Sequence, residues 1–385
     1  AGISGIVAAK TAANNGYKTL LVDEKPYLGG STIYQNSEHF KINNQISSSW
    51  LEKEINEIKK IENLEIKTRT SVAAYHGYNF LLARENLTDH LPLEQRKDKT
   101  RQRLLKIRAK KVITATGSLE RPLIFNNNDR PGILLSSAVE KYANFYGVAC
   151  GEKNVLFTNN DSAYETAIEF KNNGADPIVL DTREEQNSEL INDTKNKGIE
   201  IKFNHAVIKA NGYKKVKSAI IGELSEDKSG YKKTSTITCD SICVSGFWTP
   251  SVHLASQSGN KLKFAEEIDA FVPDKSKQNE KTVGAANGDF TLQKTLNAGF
   301  KAGSDFSKKI NKKEINIQLP KVTEKIHKVH DKFWCSPLPK NLKAKRFVDF
   351  QNDVAVTDIE IALREGYRSI EHVKRYTTLG MATDQ

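Results

Sequence analysis

AGISGIVAAKTAANNGYKTLLVDEK, running from Ala1 to Lys25, is the stretch whose reading decides the fold. Ala, Ile and Val recur through residues 6–13, Gly16 interrupts, and TLLVDE follows, which predicts a helix, a turn and a strand. The opening Ala1-Gly2-Ile3-Ser4-Gly5 is a G-x-G-x-x-G pattern whose first glycine falls one residue before Ala1, so the sequence is expected to begin at a cut. In such a turn Gly2 lets the backbone approach a pyrophosphate and Gly5 lets the helix pack on its strand. The helix N-terminus then turns its free N–H groups, at Ile3 and Ser4, toward the phosphates. Asp23 ends the second strand eighteen residues after Gly5, where a carboxylate accepts from a ribose hydroxyl. An acid at that point favours an unphosphorylated ribose, hence NAD or FAD over NADP. A tight strand–helix turn without a ligand is the bland alternative, and the strand-ending acid followed by Gly29-Gly30 weighs against it.

Two later segments complete this first nucleotide fold. KVITATG (Lys111–Gly117) reads as an apolar strand running into Thr116-Gly117, and TVGAANGDFTL (Thr282–Leu292) as a last strand with a glycine-rich helix start under the nucleotide. A second β-α-β rhythm occupies NVLFTNNDSAYETAIEFKNNGADPIVLDTR (Asn154–Arg183). There the three fingerprint glycines fall at Thr158, Asn160 and Ala163, and side chains at the first two would block a phosphate. This unit is expected to keep the fold with a weakened or empty site, although Asp181 still ends its second strand.

The remaining features exclude more than they assign. The chain has 385 residues and room for two or three domains. Its formal charge of +11 admits a nucleic-acid partner, but the lysines are scattered and the densest basic stretch, Arg96 to Lys111, interleaves Leu104, Leu105 and Ile107. A solvated structural segment is the better reading. No apolar run is long enough to span a membrane, and a cytoplasmic location is expected. Cys239 and Cys243 lie in the strand-like run TITCDSICVSG, where four residues span roughly 13 Å, too far for a bridge or a shared metal. His327 and His330 stand in a Lys-rich stretch without further ligands and read as a solvated face.

The glycine turn, the strand-ending acid and the Thr-Gly return together resemble the disulfide-reductase flavoproteins, which implies two Rossmann-like α/β dinucleotide-binding domains. Two departures matter. Ser31-Thr32-Ile33 stand where the redox dithiol of that group follows the Gly-Gly pair, and Ala285 follows Gly284 where those flavoproteins carry an Asp for the ribitol. Along essentially its whole length the chain resembles the alpha subunits of heterotetrameric sarcosine oxidases. LLVDEKPYLGGS, TNNDSAYETA, CDSICVSGFWTPSVHLASQSG and FVDFQNDVAVTDIEIALREGYRSIEHVKRYTTLGMATDQ carry that resemblance.

The resemblance implies a complex with beta, gamma and delta subunits, FAD on beta and FMN at the alpha–beta interface. It also implies NAD on alpha and folate only on a further C-terminal domain beyond Gln385. Sarcosine would be demethylated to glycine, hydrogen peroxide and 5,10-methylene-tetrahydrofolate by chemistry on the partner subunits, the isolated chain being inactive. Residues 344–385 also resemble small iron–sulfur domains of related dehydrogenase subunits, but Asp349, Gln351 and Asp384 stand at the cysteine positions, so no cluster is expected. A helix in TDIEIALREG is expected to cap at Thr357, stop at Gly366 and turn an apolar face to a partner.

The expected domains are 1–148 with 250–306, a degenerate second nucleotide domain at 149–249, a linker at 307–343 and a small helical domain at 344–385. The candidate cofactor-binding residues are Gly2, Ile3, Ser4, Gly5, Asp23, Glu24, Lys25, Gly30, Ser31, Val72, Thr116, Gly117, Gly284, Ala286, Asn287 and Leu292, with no catalytic residue and no metal ligand assigned. Two other readings remain open: a subunit of a related proline, glycine or opine dehydrogenase, and a non-catalytic nucleotide-holding scaffold.

Overall fold

The computed structural model describes residues 1–35, 38–305, 319–324, 330–339, 342 and 345–381. The chain forms two compact units, one from residues 1–119 and 248–326, the other from 120–247 and 327–385.

In the first unit the fingerprint helix, Ile3–Asn14, follows Gly2 and is buried along nearly its whole length, because Ala8, Ala9, Ala12 and Ala13 leave no bulky face toward water. Strand Thr19–Val22 runs parallel to Leu64–Lys67, and Val112–Thr114 runs parallel to Glu280–Thr282. The late helix, Leu292–Ser304, packs directly on the fingerprint helix through two glycines one turn apart. A Cβ on Gly299 would lie 2.6 Å from the Ser4 carbonyl oxygen, and one on Gly303 2.5 Å from that of Ala8. The spacing GFKAG is the residue-level reason the two backbones can touch. Ile6, Val7, Leu21, Ile42, Leu51, Ile58 and Leu296 form the core between these elements. Basic residues 96–111 supply the outer strand Gln102–Arg108 of an antiparallel sheet with Thr70–His76 and Phe80–Asn86. Leu104 there is 62% exposed, as a sheet edge turned to water permits.

The second unit holds a five-stranded parallel sheet in the order Ile133–Leu135, Ser241–Ser245, Lys153–Thr158, Asp176–Asp181, Glu200–Phe203. Its interior strand SICVS, second in that order, is buried at every position, as a parallel strand covered on both faces must be. An antiparallel meander, His205–Asn211, Ser218–Leu224 and Tyr231–Thr238, adds a second layer.

Three expectations about organisation are corrected here. Residues 120–148 belong to the second unit, because Ile133–Leu135 is an edge strand of its sheet and Ser136–Tyr146 packs on helix Ser162–Asn172. The expected linker is structured where it is described: Val322–Glu324 pairs antiparallel with Phe40–Ile42 in the first unit. Cys335 bridges to Ile124 in the second unit, where Ser336 Oγ donates to the Val207 carbonyl at 2.7 Å. TITCDSICVSG is two strands, not one, since the chain leaves the meander at Cys239 and enters the parallel sheet at Ser241. Both thiols are free and buried, and burial pushes each up to about 12, which leaves them inert.

Residues 345–381 are joined to the second unit rather than standing apart. Asn128 donates from Nδ2 to the Phe347 carbonyl at 2.8 Å and accepts the Phe347 N–H at 2.9 Å, so one buried side-chain amide serves as a strand partner. The helix here is Val356–Arg364, with Ala355 rather than Thr357 at its N-cap, and the Asp358 carboxylate accepts the Ala355 N–H at 2.8 Å. Gly366, at φ +94°, ends it. Ala362 is its only fully buried residue, and Leu363, Tyr367, Ile370 and Tyr376 are exposed. No helix among the described residues is long and apolar enough to cross a membrane.

Candidate functional site

The carboxyl ends of three strands of the first unit run into candidate residues: Thr19–Val22 into Asp23, Val112–Thr114 into Thr116-Gly117, and Glu280–Thr282 into Gly284. Ligands of open α/β folds bind outside strand ends of this kind. The turn before the fingerprint helix is built from bare backbone. Gly2 is the N-cap and has no side chain to accept the first N–H groups, so no side chain caps the helix start. The Gly29 N–H donates to the Ala1 carbonyl at 2.9 Å, and the Gly-Gly pair lies against the turn so closely that a Cβ on Gly30 would sit 2.9 Å from Gly2 Cα. Gly30 also has φ +60°, so any other residue would be strained as well as crowded. Ser31, exposed, follows at the start of a short 3-10 turn.

Asp23 stands at one side of this cradle. Its Oδ1 accepts the Lys25 N–H at 2.8 Å, and its Oδ2 lies 2.5 Å from the Ala1 nitrogen, which places the carboxylate beside the glycine turn. The Thr70 and Arg69 N–H groups donate to the Asp23 and Lys25 carbonyls, so the strand bearing Val72 starts at this point. Glu24 is exposed.

On the other side Gly284 abuts Ser4: a Cβ there would meet Ser4 Oγ at 2.5 Å. Gly5 packs on Ala115, which seats Thr116 and Gly117 beside the helix start, and Thr116 Oγ1 donates to the Ser251 carbonyl at 2.7 Å. Of the remaining candidates, Ile3, Ala286 and Leu292 are buried and offer only backbone, while Asn287 is exposed. A backbone cradle closed to side chains, a helix start without a side-chain cap and an adjacent carboxylate fit a dinucleotide.

The sequence reading missed Glu324. Both its oxygens accept the Leu292 N–H, at 2.8 and 2.9 Å, at the head of the late helix. Burial raises its pKa, and backbone donors from Leu292 and Gln293 act against the rise. Nothing in KVTEK marks it, because its role comes only from pairing opposite Phe40.

The equivalent turn of the second unit is filled by its own side chains. Thr158 Oγ1 accepts the Asn160 N–H and donates to the Asn160 carbonyl, and Asn160 Oδ1 accepts the Ser162 N–H at the helix start. Arg183 bridges Asp161 and Asp181 at 2.7 Å each, and Tyr164 OH donates to Asp181 at 2.7 Å, all four side chains being buried. Burial opposes the Arg183 charge, and the two carboxylates more than offset that, so its pKa is raised. Among the described residues no group of three His, Cys, Asp or Glu could hold a metal ion. Asp349 ends strand Phe347–Asp349, and its carboxylate organises the loop that follows, accepting the Gln351 and Asn352 N–H groups and the Gly380 N–H. Asp384 and His327 lie outside the described residues, whereas His330, expected on a solvated face, is buried and stacks on Phe247 with ring centroids 4.5 Å apart.

Residues 1–301 match the pyridine nucleotide-disulphide oxidoreductase family, and residues 343–385 match the sarcosine oxidase A3 domain. The chain is 32% identical over 391 residues to sarcosine oxidase subunit alpha of Corynebacterium sp. (strain P-1), covering 100% of this chain and 40% of that protein. It is 33% identical over 394 residues to the subunit alpha of Rhizobium meliloti (strain 1021), covering 100% of this chain and 37% of that protein. The chain thus spans about 40% of the length of such relatives. Among solved structures, L-proline dehydrogenase from P. horikoshii superposes with a TM-score of 0.69 at 19% identity, covering 99% of this chain and 68% of that one. Thioredoxin reductase of T. acidophilum follows at 0.61 and 17%, covering 81% and 97%. At those identities the likeness shows the fold alone. With its glycine cradle, its two Rossmann-like units and its sarcosine-oxidase-type C-terminal segment, the chain belongs to the pyridine nucleotide-disulphide oxidoreductase family and is similar throughout to sarcosine oxidase alpha subunits.

Proposed function

We propose that this chain is the nucleotide-binding portion of the alpha subunit of a multi-subunit sarcosine oxidase, holding one NAD in its first unit. The observation that carries the reading is the bare turn of Gly2, Gly29 and Gly30 with Asp23 beside it. That arrangement suits a pyrophosphate on the helix N-terminus and an unphosphorylated ribose on the carboxylate. Gly2, Ile3, Ser4, Gly30 and Ser31 would hold the phosphates, Asp23 the ribose, and Gly117, Gly284 and Leu292 would border the remainder. NAD is favoured over FAD because Ala285 replaces a ribitol-binding acid. The four cysteines lie at 150, 239, 243 and 335, outside the first unit, so its site has no dithiol of its own.

The chain's part in the reaction is then indirect. A flavin on beta would take two electrons from sarcosine and pass them through FMN at the alpha–beta boundary to oxygen, giving hydrogen peroxide, and folate held by a further domain would take up the carbon. Beta, gamma and delta subunits are the partners, in the cytoplasm. The exposed Leu363, Tyr367, Ile370 and Tyr376 suit a subunit contact.

Mass spectrometry of nucleotide released from the purified complex tests the reading, with NAD at one per chain as the expected result. Asp23→Ala should weaken its binding by about 1–3 kcal/mol, since buried ribose hydroxyls lose their acceptor. Retention of nucleotide as tight as in the parent would refute the ribose contact, and release of FAD alone would refute the nucleotide assignment.

A further inference from the structure

The antiparallel sheet of the first unit ends in strand Gln102–Arg108, which pairs on one side with Phe80–Asn86 and, among the described residues, with no strand on the other. Its register fixes which backbone groups are left over. The Leu87 N–H donates to the Arg101 carbonyl at one end of the ladder, and the Ala109 N–H to the Asn79 carbonyl at the other. Hydrogen-bonded pairs alternate along an antiparallel ladder, so Arg103, Leu105 and Ile107 turn their backbone groups to Phe80–Asn86. Gln102, Leu104, Lys106 and Arg108 turn theirs to the open edge.

Such edges are commonly blunted by shortness, a bulge or a proline. This one is seven residues long, keeps an unbroken register and contains no proline. Its side chains sort by face. Lys106 and Arg108 stand on the outer face opposite Leu82 and Phe80, and Leu104, 62% exposed, stands opposite Arg84. Arg108 lies 5.2 Å from the Phe80 ring centre. On the inner face Leu105 and Ile107 are half-buried, and Arg103 is paired with Glu85 at 3.5 Å. Asp89 holds Arg101 and Gln102 at the start of the strand, so the open cations are those of its second half. Residues 96–111 carry nine Lys or Arg against one Asp. A second copy of this edge would therefore bring like charges together, which destabilises a strand pair. An acidic strand meets the same row with opposite charge.

We propose that Gln102–Arg108 is a docking edge onto which a partner protein adds an acidic extended segment as a fourth strand. Its backbone pairs with Leu104, Lys106 and Arg108, its carboxylates lie on the face of Lys106 and Arg108, and its apolar side chains continue the face of Leu105 and Ile107. The inference is independent of the dinucleotide site.

The purified whole chain is titrated with a seven-residue peptide of alternating glutamate and valine. The comparison ligands are two versions N-methylated on one or the other set of alternate amides, the lysine counterpart, and a single-stranded oligonucleotide. The acidic peptide should bind, one methylated version should bind at least about tenfold more weakly than the other, and the lysine peptide should not bind. Leu104→Pro removes one outward N–H and no ladder bond, so it should weaken the acidic peptide about tenfold with the melting temperature of the parent. Bound peptide should slow hydrogen exchange at the Leu104, Lys106 and Arg108 amides and leave Arg103, Leu105 and Ile107 unchanged. If Leu104→Pro melts below the parent, the methylated peptides and the amide exchange of the parent protein decide. Failure of the acidic peptide to bind overturns the proposal. Equal binding of both methylated versions with no slowed outward amide overturns it in favour of charge alone. An oligonucleotide that binds more tightly than the peptide overturns it in favour of a nucleic-acid surface.

Discussion

Each unit has a turn that leads into a helix, Ile3–Asn14 or Ser162–Asn172, and a following strand that runs into an aspartate, yet the two turns have opposite contents. In the first, Gly2 and Gly30 leave bare backbone and Asp23 sits at the edge of the opening. In the second, Thr158 and Asn160 hydrogen-bond each other across the same turn, and Asp181 is spent on Arg183 and Tyr164. The Asp161 carboxylate, paired with Arg183 beside the start of helix Ser162–Asn172, puts a negative charge where a phosphate would rest. A strand-ending acid is open to a ligand only where no other side chain of the fold already pairs with it. The second unit carries its own salt-bridge network at this turn.

The largest effect that would sharpen this contrast comes from breaking that network. Arg183→Ala leaves Asp161 and Asp181 buried without their cation, and should destabilise the second unit by about 3–5 kcal/mol. Chemical denaturation followed by a probe in each unit would register the loss, and a variant as stable as the parent would mean that the network contributes nothing.

Restoring a glycine alone should not restore a site. Asn160→Gly keeps Arg183 and Asp161 in the phosphate position, so released nucleotide should stay at one per chain, and a second equivalent would break the comparison. Conversely, Gly30→Val in the first unit adds left-handed strain to a 2.9 Å clash with Gly2. A cost of about 3 kcal/mol and loss of bound nucleotide are expected, read by melting and by the same release assay.

Glu120 sets a smaller, pH-dependent difference between the units. Burial raises its carboxyl from 4.5 to about 6, with donors including Ser137 acting against the rise. A raised acid costs nothing below pH 4.5, where folded and unfolded forms are both protonated. The cost grows between pH 4.5 and 6 and is complete above that, at ~2 kcal/mol. Glu120→Gln should therefore raise the melting temperature at pH 8 and leave it unchanged at pH 4.

The smallest effect lies at the C-terminal segment. Hydrogen bonds from the Asn352 side chain and the Gly380 N–H hold Asp349 down to about 2. Its contribution is present above the ordinary value of 3.8 and fades as pH falls through 2. Asp349→Asn should speed hydrogen exchange at Gly380 without moving the global melt. Exchange at the parent rate would show that the loop does not depend on this carboxylate.

The bare glycine turn of the first unit was legible because its geometry is local. Gly2, Gly5, Gly30 and Asp23 fall within thirty residues, and each is required by the backbone geometry of one turn. That side chains fill the second turn was legible for the same reason, since Thr158 and Asn160 stand where the fingerprint has glycine. What the sequence could not reveal depends on pairings between distant segments. Whether Asp181 was free depended on Arg183 folding back onto Asp161 as well. Residues 120–148 changed units because Ile133–Leu135 found its hydrogen-bond partners in Ser241–Ser245, more than a hundred residues on. Glu324 gained meaning only from a strand register that sets it at the head of a helix beginning at Leu292. Turn chemistry is written in neighbouring residues, whereas the use of a charge depends on what the fold brings within hydrogen-bonding distance.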